Sequence, residues 1–156
     1  MITRIQPGAR MSEAVVHGDT IYLSGQVGEP GDDVATQTRT ALAEIEALLA
    51  EAGSDKSKIL MAQIWLADIA DFEAMNSVWD AWVDTANPPA RATGESRLAS
   101  PDYRVEVIVI AATGTAKAPA PKPAANAMAH PQVEQHIAIG LVGKGFGLGQ
   151  GFQRID

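Results

Sequence analysis

The beginning of the chain alternates apolar and polar residues with the period of two that is typical of β-strands. This alternation predicts three short strands, at residues 2–6, Ser12–His17 and residues 20–26. Gly18 and Asp19 separate the second apolar run from the third. This pair predicts a tight hairpin, because glycine adopts positive φ readily and aspartate can hydrogen bond to its own backbone.

From Val34 onward the apolar residues recur with helical spacing instead. Two aspartates, Asp32 and Asp33, precede this segment and can cap the start of a helix, and Gly53 can end it. The predicted buried stripe consists of Val34, Thr38, Ala41, Leu42, Ile45, Leu48, Leu49 and Ala52.

The pattern changes several times more before residue 113. The apolar run Ile59–Leu66 predicts a strand that is buried on both faces. A second amphipathic helix is predicted to begin at a capping Asp71 and to be stopped by the Asn-Pro-Pro at residues 87–89. Two further strands are predicted at residues 90–98 and 103–112. The order βββαβαββ predicts an α+β domain with both helices on one face of a mixed sheet.

The composition changes after Thr113. Residues 116–129 include prolines at positions 119, 121 and 123 and are otherwise mostly alanine, which is typical of an extended linker. Glycine then recurs through residues 137–152. We therefore predict a domain at residues 1–116 and a disordered linker and tail at residues 117–156, either a natural extension or an artefact of cloning or reading frame.

Charge and composition exclude several classes of function. The 156 residues carry 12 basic and 19 acidic side chains, a net charge of −7, which argues against a nucleic-acid partner. There is no cysteine, so thiolate chemistry is excluded, and the histidines are too isolated to predict a metal site. No apolar run approaches a signal peptide or a membrane span, so we expect a cytoplasmic protein without a membrane partner.

Two residues are candidates for binding chemistry. Arg91 opens a predicted strand after two prolines, and its planar guanidinium suits a carboxylate; a solvated arginine or an interface ion pair are the alternatives. Ser24 ends another strand, where it can line a pocket or simply bond a turn. A serine hydrolase is disfavoured, because the chain has no Gly-x-Ser-x-Gly motif and His17 is the only histidine of the predicted domain.

Several of these segments together resemble the Rid (RidA/YjgF-type) family over roughly residues 1–112. The resemblance rests on Ser24-Gly25-Gln26, on the Pro-Pro-Ala-Arg-Ala-Thr at residues 88–93, on the apolar strand at residues 104–111, and on the Asp-Phe-x-Ala-Met-Asn-x-x-Trp-Asp-Ala-Trp at residues 71–82. It implies a chorismate-mutase-like fold in which three subunits form a central barrel with clefts between neighbours.

The resemblance also implies roles for individual residues. In the family, whose members often hydrolyse reactive imines, the arginine matched by Arg91 binds the substrate carboxylate in the cleft between subunits. Ser24 and Thr93 match positions that line this pocket, so both are candidate substrate-binding residues. No cofactor is implied, because an imine is already electrophilic.

Two departures from the family pattern concern catalysis. Met11, a further candidate substrate-binding residue, stands where imine-hydrolysing members have a pocket tyrosine, and Ile108 replaces a glutamate that positions the attacking water. Neither side chain can orient water or relay a proton. Glu95 is a candidate catalytic replacement, because it shares a strand face with Arg91; its alternative is an ion pair with Arg97 or Arg104.

Two functions remain open at this point. The first is a deaminase that hydrolyses 2-imino acids to 2-oxo acids and ammonia. The second is a non-catalytic or regulatory protein that binds small carboxylates in the same pocket. Both require a homotrimer, which the apolar strand at residues 103–112 also favours.

Overall fold

The computed structural model describes residues 1–114, so the predicted linker and tail at residues 117–156 lie outside the described residues. The described part contains six strands and two α-helices in the predicted order βββαβαββ. The strands are β1 (Ile2–Pro7), β2 (Ser12–His17), β3 (Thr20–Leu23), β4 (Ile59–Leu66), β5 (Ala90–Glu95) and β6 (Val105–Ala112), and the helices are α1 (Val34–Glu51) and α2 (Phe72–Trp82).

The strands form one mixed sheet in the order β1-β2-β3-β6-β4-β5. All neighbours are antiparallel except β4 and β5, which run parallel because α2 connects them as a crossover. The two-residue turn at Gly18 and Asp19 joins β2 to β3 as predicted, with Gly18 at φ +60°. The edge strand β5 carries Arg91.

The core lies between one face of the sheet and the two helices. In β6 every second residue from Val105 to Ala111 is fully buried, and the apolar stripe of α1 covers this face. Such alternation indicates a sheet with one covered face. This confirms the predicted α+β architecture, a chorismate-mutase-like arrangement with both helices on one side.

The other face of the sheet stays partly open in the single chain. It carries Tyr22, which is 47 % exposed, together with the half-buried Ile108, Ile110, Met61 and Trp65. β4, predicted to be buried on both faces, is thus covered on one face only within a single chain. An open sheet face with several apolar side chains is typical of a surface that takes part in binding.

A buried glutamine connects α1 to the loops at one end of the sheet. Gln37 is fully buried, and its amide nitrogen donates to the backbone carbonyls of Asp32 and Asp102, both at 2.9 Å. Its carbonyl oxygen accepts from the backbone N–H of Arg104 at 2.8 Å. A buried polar group is tolerated when it is hydrogen bonded in this way, and here it fixes the start of β6.

The prediction that the Asp71 side chain caps α2 is wrong, although Asp71 does stand at the N-cap position. The Asp71 side chain makes no capping hydrogen bond; its carboxylate instead accepts two hydrogen bonds from the Arg104 guanidinium. A 3₁₀ turn, Ile69–Asp71, precedes α2, and Asp68 caps that turn through the N–H of Ala70. α2 ends at Trp82, six residues before Pro88, the first of the prolines that were predicted to stop it.

No helix within residues 1–114 is long and apolar enough to cross a membrane.

Candidate functional site

Arg91 lies on the edge strand β5 with its side chain directed toward α2. Its register partner in β4 is Ala62, which is fully buried, so Arg91 projects from the helix-covered face of the sheet. Its guanidinium donates to Oδ1 of Asn76 at 2.8 Å and lies 5.3 Å from the ring centroid of Trp79. The indole face and the amide hold the cation from two directions.

The charge of Arg91 is not neutralised by a bonded carboxylate. Within residues 1–114, no Asp or Glu oxygen lies within 4.0 Å of its guanidinium nitrogens. Partial burial lowers the pKa of Arg91 from its ordinary value, and the negative charge of Asp80 opposes that shift. A guanidinium remains protonated at neutral pH despite such burial, so the site holds a partly desolvated cation that a bound anion would stabilise.

Thr93 and Glu95 follow Arg91 on the same face of β5, opposite Ile64 and Leu66 in register. The hydroxyl oxygen of Thr93 is buried and has no hydrogen-bond partner in the described part of the chain. Most buried hydroxyls are paired, so this one is a candidate ligand group. The predicted grouping of these residues with Arg91 on one face therefore agrees with the strand register.

Glu95 is exposed, and its carboxylate accepts a hydrogen bond from the backbone N–H of Ile69 at 3.0 Å. The alternative partners that the sequence suggested are not used: Arg104 pairs with Asp71, and neither Arg97 nor Arg104 forms an ion pair with Glu95 within residues 1–114. Glu95 therefore ties the end of β5 to the turn before α2. The catalytic role predicted for it stays a prediction.

Ser24 belongs to a second polar cluster, at the end of β3. Its hydroxyl donates to Oε2 of Glu13 at 2.8 Å, and the amide of Gln26 donates to the same carboxylate at 3.2 Å and to the Ser24 hydroxyl oxygen at 2.9 Å. Gln26 is buried and pairs with Val107 through two backbone hydrogen bonds. We call Glu13, Ser24 and Gln26 the serine cluster.

Gly25, in the middle of this motif, leaves space for the end of the Glu106 side chain. A Cβ at this position would take the place of the Glu106 carboxylate, which would have to move. The carboxylate of Glu106 therefore lies against the backbone of the serine cluster. Ile108 projects from the same face of β6 as Glu106, two residues further along the strand.

Met11, the residue at the tyrosine position, is 50 % exposed and lies in the turn between β1 and β2. The backbone N–H of Gly8 donates to its carbonyl at 2.7 Å, which closes that turn. Met11 precedes Glu13 by two residues, so it belongs to the same end of the sheet as the serine cluster.

Two strands, β6 and β4, separate β3 from the edge strand β5. Three interstrand steps at the usual spacing correspond to roughly 14 Å across the sheet. A small 2-imino acid cannot bridge that distance. Arg91 and Thr93 on β5 are therefore separate from the serine cluster on β2 and β3 within one chain. We call these two groups the half-sites.

Two surface depressions of the chain involve other residues. One, of about 490 Å³, is lined by Asp32, Asp33, Asp71 and Asp102 beside Arg104, a surface that repels carboxylates. The other, of about 540 Å³, lies between α1 and α2. Within residues 1–114, no three His, Asp or Glu side chains are grouped so that they could hold a metal ion.

The fold and the arginine-bearing edge strand define a chorismate-mutase-like α+β domain. A family model described as Endoribonuclease L-PSP matches residues 1–113. The chain therefore belongs to this family, which includes the YjgF and RutC proteins, and the predicted family resemblance is confirmed.

Several relatives agree with this assignment. A RutC family protein of Haemophilus influenzae is 47% identical over 112 residues, which are 70% of this chain and 97% of the relative. The RutC family protein YoaB of Escherichia coli K12 is 45% identical over 111 residues, 71% of this chain and 97% of the relative. A protein of Capra hircus named 2-iminobutanoate/2-iminopropanoate deaminase is 36% identical over 108 residues, 64% of this chain and 77% of the relative.

Solved structures show the same fold. A YjgF-family protein of Neisseria meningitidis matches with a TM-score of 0.71 and 47% identity, covering 72% of this chain and 95% of the other. A member of the YjgF family from Mycobacterium tuberculosis matches with a TM-score of 0.66 and 28% identity, covering 72% of this chain and 100% of the other.

Sequence reasoning missed the residues that support the predicted ones. Asn76 and Trp79 belong to the predicted amphipathic helix, and the sequence pattern of the second strand does not distinguish Glu13 from its neighbours. The available signal for Asn76 was its place on the stripe of α2 one turn before Trp79, which made it a polar residue on a mostly apolar side. For Glu13 the signal was its place in β2, opposite the strand end that carries Ser24.

Proposed function

We propose that the chain is a 2-imino acid deaminase that binds its substrate in a pocket between subunits of a homotrimer. The observation that supports this most strongly is Arg91, a partly buried cation held by a neutral amide and an indole ring without a carboxylate partner. Such a guanidinium offers two parallel N–H groups to a substrate carboxylate. The unpaired Thr93 hydroxyl on the same face supplies a second polar contact.

The pocket is completed, in this proposal, by a second copy of the chain. The β5 half-site of one subunit faces the serine cluster of its neighbour, with Met11 at the rim. This arrangement explains why the two half-sites lie about 14 Å apart within one chain. The open, apolar face of the sheet lines the inside of the assembly, where a neighbouring copy covers it.

The reaction needs no cofactor. Water adds to the electrophilic carbon of the imine, and the resulting carbinolamine loses ammonia to leave a 2-oxo acid. The pocket contributes by fixing the carboxylate on Arg91 and by placing the water against the imine carbon, which is catalysis by orientation. We propose that Ser24 and Thr93 hold the polar ends of the substrate and the water.

The deaminase name of the Capra hircus relative favours this substrate class. The family description mentions an endoribonuclease instead. We disfavour RNA as a substrate for this chain, because its net charge is −7 and polyanions are bound by basic surfaces.

A second candidate is a protein that binds small carboxylates without turnover. Ile108 favours it, because this side chain stands on the open face of β6 where imine-hydrolysing members carry a glutamate, and isoleucine cannot position water. Both candidates use Arg91 in the same way, so they are separated by turnover and not by binding.

Calorimetric titration with 2-oxobutyrate tests the pocket. We expect Arg91→Ala to raise the dissociation constant at least about tenfold, since truncating a charge-assisted pair costs about 2–5 kcal/mol, and Arg91→Lys to rescue only part of the affinity. Arg39→Ala, which removes an exposed arginine of α1, is the matched control and should bind like the wild type. Equal affinity of the wild type and Arg91→Ala would refute the pocket.

Hydrolysis of freshly generated 2-iminobutyrate then separates the two functions. Release of 2-oxobutyrate above the uncatalysed rate, lost in Arg91→Ala, is expected for the deaminase. Binding of 2-oxobutyrate without any such release would instead establish the non-catalytic alternative.

A further inference from the structure

We propose that Glu13 accepts the proton of the attacking water through the hydroxyl of Ser24, and so takes over the work of the glutamate that Ile108 has replaced. The inference rests on the proposed deaminase function and names the proton acceptor of the same site. It follows from the hydrogen bonds of the serine cluster, because they show which group donates each proton and which group accepts it.

The Ser24 hydroxyl has one donor and two acceptor positions. Its single proton is used on Glu13 Oε2 at 2.8 Å, and one acceptor position is used by the Gln26 amide at 2.9 Å. One acceptor position therefore remains for a group that carries a proton. A water molecule is such a group, and a hydrogen bond to Ser24 would orient its oxygen lone pair toward the imine carbon.

Gln26 keeps the Ser24 hydroxyl proton directed toward Glu13. Its amide nitrogen donates both to Ser24 and to Glu13, at 2.9 and 3.2 Å, so it can accept no proton from either of them. Its backbone pairs with Val107, which holds the amide in place at the end of β3. The serine proton is left with the carboxylate as its acceptor.

The proton balance of the step is complete without any further reactant. The water oxygen forms a bond to the imine carbon, and the electron pair of the C=N bond moves to nitrogen. The water proton passes to the Ser24 oxygen while the serine proton passes to Glu13. Glu13 returns this proton by the same route to the nitrogen, which gives the neutral carbinolamine. The remaining hydroxyl proton then passes through the same relay to the nitrogen, the O–H electron pair forms the C=O bond as the C–N bond breaks, and the 2-oxo acid and ammonia leave.

The other nearby carboxylates are less suited to accept the proton of Ser24. Glu95 uses its carboxylate on the Ile69 N–H and lies on β5, in the other half-site. Glu106 packs against Gly25 and makes no side-chain hydrogen bond to Ser24 within residues 1–114. Glu13 is the carboxylate that bonds the serine hydroxyl directly.

Steady-state hydrolysis of 2-iminobutyrate by the full-length chain tests the assignment. Glu13→Gln keeps the size and an acceptor oxygen for Ser24 but cannot take up a proton. We expect its kcat to fall at least about a hundredfold, the usual contribution of a proton acceptor, with KM and the dissociation constant of 2-oxobutyrate within about threefold of wild type. Ser24→Ala interrupts the same relay and should lose kcat to a similar extent.

The matched control is a carboxylate outside the site. Glu51→Gln removes an exposed carboxylate that also accepts from a glutamine amide, that of Gln6 at 2.8 Å. This variant should keep kcat within about threefold. A merely structural role of Glu13 would instead change KM, the affinity for 2-oxobutyrate or the melting temperature together with kcat.

The outcomes separate this inference from the function on which it rests. If the wild type turns over and both Glu13→Gln and Ser24→Ala keep its kcat, the relay is refuted while the deaminase stands. If Glu95→Gln alone loses kcat, the proton acceptor is Glu95 and the relay is again refuted. If the wild type itself shows no turnover, the deaminase function fails and the relay fails with it.

Discussion

Asn76 and Trp79 lie one turn apart on α2 and contact the same guanidinium. The amide oxygen of Asn76 accepts from Arg91 at 2.8 Å, and the indole of Trp79, 5 % exposed, packs beneath the cation. Residues three apart on a helix share a face, so α2 presents both to β5. A neutral acceptor orients Arg91 without cancelling its charge, which a carboxylate in the same place would do.

Asn76→Ala should therefore weaken anion binding, although Asn76 acts only through Arg91 and does not contact the ligand in this proposal. We expect the dissociation constant of 2-oxobutyrate to rise at least about fivefold, because a hydrogen bond to a charged group contributes about 1.5–3 kcal/mol. Asn87→Ala, which removes an exposed asparagine paired with Asp84, is the control and should bind normally. An unchanged affinity in Asn76→Ala would show that Trp79 alone orients the arginine.

For individual residues, the sequence predicted the site residues that stand in recognisable motifs but not the side chains that form hydrogen bonds with them. Arg91, Thr93 and Ser24 could be named because each stands in a short segment of recognisable pattern. Asn76 is 15 residues from Arg91, and Glu13 is 11 residues from Ser24. Which polar side chains meet over such separations depends on strand register and on the packing of α2, and these are properties of the folded chain.

The C-terminal end of β4 determines where β5 ends and where β6 begins. Leu66, the last residue of β4, lies opposite Glu95, the last residue of β5, and opposite Val105, the first residue of β6. The sequence pattern extends β5 to residue 98 and starts β6 at residue 103, because residue types do not show where a strand has a partner. Strands end where pairing ends, and this explains both differences.

The helix starts show which caps can be predicted. Asp33 caps α1 as expected, since its carboxylate accepts from the N–H of Thr36 at 2.8 Å, a contact within one turn. Asp71 has the same sequence signal but bonds Arg104, which is 33 residues away. A local signal is reliable only where no distant cation competes for the carboxylate.

The 3₁₀ turn Lys56–Lys58, which leads into β4, carries a testable pH dependence. Hydrogen bonds from the side chains of Lys58 and Ser57, and from the Ser57 backbone, lower the pKa of Asp55 to about 2. Because the folded-state pKa lies below the unfolded one, ionised Asp55 stabilises the fold above about pH 4. This contribution is lost as the pH falls toward 2.

Asp55→Asn should accordingly be less stable than the wild type at pH 6, and the difference should disappear as the pH approaches 2. We expect less than about 1 kcal/mol, because the group is exposed and its ion pair with Lys58 is screened by solvent. Urea unfolding of both proteins between pH 2 and 6 measures the difference. A difference that stays constant over this range would contradict the assignment to the Asp55 carboxylate.

At the scale of the whole molecule, two features of the single chain agree with the proposed assembly of several copies. The half-sites on β5 and β3 lie on strands that are not neighbours, and one face of the sheet carries partly exposed apolar side chains. Order of elements and fold class could be read from the sequence, because they follow from the periodicity of each segment. The proposed division of the site between copies comes instead from the family resemblance, since periodicity does not show which strands lie at the edges of the sheet.

The predicted homotrimer can be tested on the open face of the sheet. Ile110 lies in the middle of this face, with Tyr22 and Met61 as its register partners on β3 and β4. If three copies bury this face, Ile110→Glu places a charge in an apolar interface, where an unpaired carboxylate is strongly unfavourable. We expect sedimentation equilibrium to give three times the chain mass for the wild type and a shift to monomer for Ile110→Glu. Ala47→Glu, on the exposed side of α1, should remain trimeric. A wild-type protein that stays monomeric at all concentrations would exclude the trimer and, with it, a pocket assembled from two half-sites.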